Sequence, residues 1–189
     1  MSLTLVRPEA AYAGDIAAYR AETLAIEPSL HGGCELARYD DPAAWIAHCV
    51  AAGDPALVSP DWVPSDEWLL VDSGDPGRIL GLVNIRRHLG VPAVAEHDGH
   101  LGYSVRPGER GRGLGQAQLC LALAKCRELG IDSVLLTCET GNEASRRTII
   151  ACGGVFERTT TEHEDGVDHL MERYWISPRV DEALGVGGA

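Results

Sequence analysis

Apolar positions recur along the chain with two periods, and the switches between them mark out strands and helices. Leu3–Arg7 alternates weakly and predicts a short strand, stopped by Pro8. From Glu9 to Leu24 the spacing turns helical, with Tyr12, Ile16 and Tyr19 set among Ala10, Ala13 and Ala17. A polar, glycine-bearing connection, Glu27–Asp41, leads to a second helix over Pro42–Ala52, with Asp40 or Asp41 as its N-cap and Gly53 as its stop. Trp68–Asp72 and Ile79–His88 are apolar strands around Ser-Gly-Asp-Pro-Gly, a hairpin signal. Gly99–Arg106 is a further strand, halted by Pro107. Gly113–Leu129, apolar nearly all round and closed by Gly130, predicts a buried helix. Ser133–Cys138 reads as a short strand and Asn142–Cys152 as a helix ending at Gly153-Gly154. Val155–His163 and Asp168–Ile176 then form a hairpin across Glu-Asp-Gly-Val.

The order β α α β β β α β α β β contains one β-α-β crossover, Gly99 to Cys138, which is expected to be right-handed. It sets Gly113–Leu129 on one face of the sheet. The expected class is α+β in three layers, with a mixed, largely antiparallel central sheet of about six to seven strands. A length of 189 residues suits one domain. That domain is expected over residues 1–177, with a flexible tail over 178–189.

Composition narrows the classes. Hydrophobic residues make up 45% and charged residues 23%, which excludes a disordered chain. No long apolar run is present, so no membrane span is expected. The opening MSLTLVRPEAAY has no basic stretch before an apolar one, so no secretory leader is expected. The six cysteines form no CxxC pair and read as reduced, buried thiols of a cytoplasmic protein. Net charge is −12, divided as −10 over residues 1–77 and −2 over 78–189. Nucleic acid is therefore excluded as a partner, since it calls for a basic face. The first part favours cations, and the second keeps enough arginine to hold an anion.

The informative stretch is Val105-Arg-Pro-Gly-Glu-Arg110-Gly-Arg-Gly-Leu-Gly115-Gln, between a strand and a helix N-terminus. Gly111, Gly113 and Gly115 remove side chains where the backbone must turn, which frees amides for a ligand. A helix N-terminus favours anions, so the loop is a cradle for phosphate oxygens. Arg110 and Arg112 can add charge-assisted hydrogen bonds. The plainer reading is a glycine-rich turn with solvated arginines. A dinucleotide fingerprint fails because Gln116 stands at its third glycine, and no Lys-Ser or Lys-Thr follows to make a P-loop.

What remains, Arg110-x-x-Gly113-x-Gly115, resembles the pyrophosphate loop Q/R-x-x-G-x-G/A of the GNAT acetyltransferase superfamily. Leu101–Arg106 is similar to the family's strand before that loop, and Ser133–Thr137 to its strand after the helix. Asn142-Glu-Ala-Ser145 is similar to its second cofactor segment. More narrowly, HDGHLGYSVRP…ERGRG…LLTC…NEASRR…GG…RYWI resembles a family of bacterial acetyltransferases within GNAT. The likeness runs from about Leu3 to Ile176 in element order. It implies the GNAT acyl-CoA acyltransferase fold, with acetyl-CoA as cosubstrate and no metal. It also implies that the strands at Leu101–Val105 and Val134–Cys138 splay apart, so that the pantetheine arm pairs with their freed backbone.

The resemblance assigns cofactor contacts to Tyr103, Ser104, Val105, Arg110, Gly111, Arg112, Gly113, Leu114, Gly115, Gln116, Asn142 and Ser145. An amide near Ser104 or Val105 would polarise the thioester carbonyl. Asn142 and Ser145 would bond the pantetheine or line its exit; their plainer reading is an N-cap and an ordinary helix side chain. Residues 1–77 then hold mainly acceptor-side elements, and 78–177 the acetyl-CoA core with the final hairpin.

An alkylammonium must lose a proton before it attacks, and an imidazole is a sound acceptor near neutrality. In the family the base often lies near the start of the strand that enters the loop, here Glu96-His97-Asp98-Gly99-His100. Strand alternation would set His97 on a face with Gly99, Leu101 and Tyr103, and His100 on the other with Gly102 and Ser104. His97 is the first candidate base, with His100 and Glu96 next; a surface histidine with no role is the plainer reading. As a metal pair, His97-x-x-His100 lacks a second pair of ligands.

The chain departs from the family at Ile149, where many members carry a tyrosine that protonates the leaving thiolate. Either Tyr174 or water supplies that proton, or the thiolate leaves unaided. The expected activity is N-acetyl transfer to a primary amine, cationic on arrival, by direct attack in a ternary complex. The alternative is a non-catalytic acyl-CoA-binding or sensing protein. Transfer through a cysteine thioester ranks last, because no cysteine has a sequence setting that argues for a depressed pKa. A homodimer is left open.

Overall fold

The structure is a computed structural model, which describes residues 1–164 and 166–178. Beyond Pro178 the expected tail lies outside the described residues. Strand β1 (Leu3–Val6) is followed by helices α1 (Ala13–Leu24) and α2 (Pro42–Ala52). Then come β2 (Ser65–Asp72), β3 (Asp75–Arg86) and β4 (Leu101–Val105). The chain continues through α3 (Leu114–Glu128), β5 (Val134–Glu139), α4 (Glu143–Ala151), β6 (Val155–Glu164) and β7 (Val167–Ile176).

The strands form two antiparallel sheets, β1-β2-β3-β4 and β5-β7-β6. Strands β4 and β5 meet between them without sharing a ladder. Helix α3 lies over one face, where Leu119, Ala122 and Cys126 pack on Leu5, Leu70, Val83 and Ile85. On the other face α1 and α2 bring Ile16, Tyr19, Trp45 and Cys49 against Leu69, Val71, Ile79 and Leu82. Leu69 and Leu70 go to opposite cores, as the two-residue period of a strand requires. The result is the three-layer α+β arrangement that the element order predicts.

Local chemistry explains the boundaries. Asp41 caps α2 by accepting the Ala43 amide at 2.9 Å, with Pro42 at the first helical position. Asn142 caps α4 by accepting the Ser145 amide at 3.0 Å. Where the sequence and the structure differ, buried polar groups or irregular backbone are responsible. The first helix begins with a 3₁₀ turn, Ala10–Tyr12, before α1. Strand β2 starts at Ser65, because Ser65, Asp66 and Glu67 are buried in the sheet rather than solvated. Strand β3 opens three residues after Asp72, ahead of the expected Ile79, and ends at Arg86, short of His88. Helix α3 buries one face only, leaving Gln116, Cys120 and Arg127 exposed. The cysteines differ too: all six are free thiols, but Cys120 is exposed and Cys34 and Cys152 are partly so.

Candidate active site

The space between β4 and β5 is a wedge whose apex and open walls follow from pairing parity. In an antiparallel ladder alternate residues point their N–H and C=O at the partner. The bonds Arg86 N–H to His100 C=O and Arg106 N–H to Leu80 C=O, both 2.8 Å, set that parity for β4. With the register Leu82–Ser104 and Asn84–Gly102, the main-chain groups of Gly102 and Ser104 face β3. Those of Tyr103 and Val105 face away, toward β5. On β5, the bond from the Thr140 amide to Leu170 and the register Leu136–Tyr174 turn Leu136 and Cys138 to β7. Leu135, Thr137 and Glu139 therefore face β4.

His100 closes the apex. Its amide donates to the Leu135 carbonyl at 2.8 Å, and its Nδ1 accepts the Leu135 amide at 3.0 Å. The ring is buried. Burial, with the charge of Arg86 and His88 adding to it, pushes its pKa down to about 4. His100 thus stands as a neutral strut with its Nδ1 already occupied by the Leu135 amide. Past Leu135 the wedge opens. Val105 C=O takes the Arg110 Nε at 3.0 Å, and Glu139 C=O takes the Asn142 amide. The Tyr103 and Thr137 main-chain groups and the Val105 N–H have no partner among the described residues.

The wedge runs out at the glycine loop. Gly111 and Gly113 have φ of +76° and +77°, which L side chains rarely adopt, and a Cβ on either would project into open space. Gly115 is different: it sits in α3 beside Thr148 and Val105. The amides of residues 111–116 donate to no backbone carbonyl among the described residues, because the α3 ladder begins with Ala117 donating to Gly113. The two arginines are already engaged. Arg110 pairs with Glu27 at 2.5 Å, and Arg112 pairs with Glu109, which also takes Arg78. The loop is held from beneath by Arg106, buried at the end of β4. It grips Glu22 with two bonds of 2.7 Å, and also Asp15 at 2.8 Å and Ile79 C=O at 2.9 Å.

On the α4 side, the Tyr103 hydroxyl meets Ser145 Oγ at 3.0 Å, and burial raises its pKa to about 12. Asn142 Oδ1 is spent on its cap. Tyr174 donates to Glu172 at 2.7 Å from a buried position, with burial and that carboxylate raising its pKa to about 12. Ile149 is fully buried in the core.

His97 does not lie on a strand. Residues Val94–Asp98 form one π-helical turn, ended by Gly99 at φ +66°. The expected face shared with Tyr103 is therefore absent. The turn is tied to the second sheet instead. The Thr137 hydroxyl donates to His97 C=O at 2.7 Å, and Arg173 Nη1 reaches the carbonyls of Ala95 and Glu96 at 2.6 and 2.8 Å. His97 Nδ1 is buried without a hydrogen bond among the described residues, 3.9 Å from Glu162 Oε1. Glu96 is spent on Arg158 at 2.7 Å.

The acceptor side holds residues that the pattern did not single out. Gly32 is pressed onto β4, where a Cβ would come within 2.4 Å of Tyr103 Cα. Tyr19 bonds Ser104 Oγ at 3.1 Å. The adjoining Cys34 and Glu35 both have positive φ, and the Trp45 indole holds the carbonyls of Gly33 and Cys34. A hydrogen bond from Cys49 draws the Cys34 thiol down, a setting that the cysteine spacing did not show. The glycine pair at 32 and 33 was the one available signal.

The Acetyltransferase (GNAT) domain family matches residues 2–155. No curated protein matches the sequence. Solved structures do. The microcin C7 self-immunity acetyltransferase in complex with acetyl-CoA and AMP has a TM-score of 0.69 at 16% identity, over 93% of this chain and 92% of that one. The ribosomal-protein-S5-alanine acetyltransferase of Vibrio fischeri gives 0.66 at 18%, over 93% and 92%. The dodecameric spermidine N-acetyltransferase of Vibrio cholerae gives 0.63 at 16%, over 94% of each. At these identities the likeness is one of fold.

Proposed function

The chain belongs to the GNAT acetyltransferase family, and from that premise we propose that it transfers an acetyl group from acetyl-CoA to a primary amine by direct attack in a ternary complex. The observation that carries this reading is the wedge: the main-chain groups of Tyr103 and Thr137 and the Val105 N–H, unpaired among the described residues, lead toward the amides of residues 111–116, which donate to no backbone carbonyl among them. Acetyl-CoA supplies an activated acetyl group as a thioester, and the chain's polar groups suit its parts. The loop amides hold the pyrophosphate at the positive end of α3. Tyr103 and Thr137 pair with the amides of the pantetheine arm, and the Val105 N–H polarises the thioester carbonyl. The Ser104 N–H is directed at β3, which leaves Val105 for that role. Arg110 and Arg112 exchange their carboxylate partners for phosphate when the loop is filled.

His97 accepts the ammonium proton through its unpartnered Nδ1, directly or through a water. The Tyr174 hydroxyl is engaged by Glu172, so the leaving group departs as thiolate without a side-chain acid. Residues 1–77 supply the acceptor side and 78–177 the cofactor side. The acidic excess of the first part suits an acceptor that arrives as a cation. Amine acceptors are also named for the similar structures, spermidine and the ribosomal S5 alanine among them.

The test is thiol release with acetyl-CoA across a panel of polyamines, amino acids, aminoglycosides and peptide N-termini. Wild type is expected to release thiol with at least one of them. Gly113→Val is expected to remain folded and lose acetyl-CoA binding by calorimetry, because its side chain would fill the space phosphate needs. Binding without release by any amine would favour a sensor. Undiminished affinity in folded Gly113→Val would remove the loop assignment.

A further inference from the structure

A pocket of about 480 Å³ opens between α2 and the start of β2, apart from the wedge. Its walls are Cys49, Val50 and the turn Gly53–Pro55, together with Arg7, Pro8, Asp66, Glu67 and Arg87. None comes from β4, β5 or the glycine loop. A volume of this size is typical of small-molecule sites.

One residue of its wall carries an unmet hydrogen-bonding demand. Glu67 is 1% exposed; its Oε2 accepts the Asn84 amide at 3.2 Å, and its Oε1 has no partner. A buried carboxyl oxygen without a donor is costly. The neighbouring cations do not meet the demand: Arg86 reaches Asp98 at 3.1 Å, and its Nε makes no bond to Glu67. Arg7 and Arg87 both bind Asp66, at 2.5 and 2.8 Å, and Arg7 also stacks on Trp68 at 4.1 Å. Asp54 caps the Ala56 amide. The lining thus leaves Oε1 without a donor, while Pro8, Val50 and Pro55 are apolar.

We propose that this pocket binds an alkylammonium ion, with Glu67 Oε1 accepting its N–H and Pro8, Val50 and Pro55 covering its hydrocarbon stem. Oε1 calls for a donor, which neither a carboxylate or other acceptor-only anion nor a quaternary ammonium can offer. The site does not depend on acetyl transfer.

Binding is linked to a proton. Burial first, and the charge of Cys34 next, push the empty Glu67 carboxyl well above its usual range, against Asn84, Arg86 and Arg7. The titratable and charged groups around it include Tyr19 of α1, Cys34 from the α1–α2 connection, Cys49 of α2, Arg86 of β3 and Arg7 after β1, with Asp66 and Arg87 paired beside them. An entering ammonium favours the carboxylate, so Glu67 gives up its proton, and affinity rises with pH until the amine itself deprotonates, near pH 10 for an alkylamine.

The experiment is calorimetry of n-butylammonium chloride into the full chain without acetyl-CoA, in two buffers of different ionisation enthalpy. Wild type is expected to bind saturably with proton release. Glu67→Gln, nearly isosteric and still able to accept from Asn84, is expected to bind at least tenfold more weakly and release no proton. Val50→Trp fills the mouth from a residue that is 71% exposed, so it leaves the core alone, and is expected to weaken binding equally. Tetramethylammonium is expected to bind at least tenfold more weakly than butylammonium. Absence of saturable binding, full affinity in either variant, or equal affinity for tetramethylammonium would each overturn the proposal.

Discussion

His97 and His100 stand in one short segment, and their different surroundings separate their expected behaviour. His100 is a buried acceptor for the Leu135 amide, so His100→Ala leaves that N–H without a partner and opens a cavity. The expected cost is about 2–4 kcal/mol. The sign of its pH effect follows from a pKa of about 4 in the folded chain, against about 6.5 in an unfolded one. The unfolded state binds the proton more readily, so this contribution is present above pH about 6.5 and is lost as pH falls toward 4. Urea melts across that window should be steeper in pH for wild type than for the variant. His97, with its free Nδ1, predicts the opposite pattern. His97→Gln should melt like wild type, lower turnover by about 100- to 10,000-fold, and flatten the acidic limb of the pH–rate profile. A variant with near-wild-type turnover and an unmoved limb would pass the role to bulk water.

At the scale of elements, Arg106 joins the end of β4 to α1 and β3, just before the glycine loop. Its bonds to Glu22 and Asp15 span more than eighty residues of sequence. Glu22 in turn is held below its usual carboxyl range, chiefly by the hydrogen bond to Arg106. Arg106→Met removes the buried partner of two part-exposed carboxylates and should cost about 1–3 kcal/mol in urea melts. It should also weaken acetyl-CoA binding, because α1 and the loop lose their common anchor. Lysine at 106 should recover only part of the stability, since it cannot reproduce the two-pronged grip on Glu22. The elements themselves were readable where caps and glycines act locally, as at Asp41, Gly113 and Asn142. They were misread where polar residues are buried, as in Ser65–Glu67, and where a π turn interrupts the approach to β4.

At the scale of the whole molecule, two sheets that share no ladder produce the wedge, and helices on both faces hold it open. The apex depends on one histidine, and its walls on the parity of two ladders, β3 with β4 and β5 with β7. The sequence alone was enough for the order of strands and helices, the glycine loop at a strand-to-helix junction and the acidic bias of the first 77 residues. Those features rest on hydrophobic period, turn chemistry and charge count, which act over a few residues or need no geometry at all. Only the tertiary structure decided that His100 is a strut and that Tyr103 and Val105 turn their main chain into the wedge. It alone brought Cys49 to Cys34 and buried Glu67 with one oxygen unmet. Each of those outcomes depends on groups far apart in the chain, whose hydrogen bonds and desolvation exist only once the sheets and helices have packed.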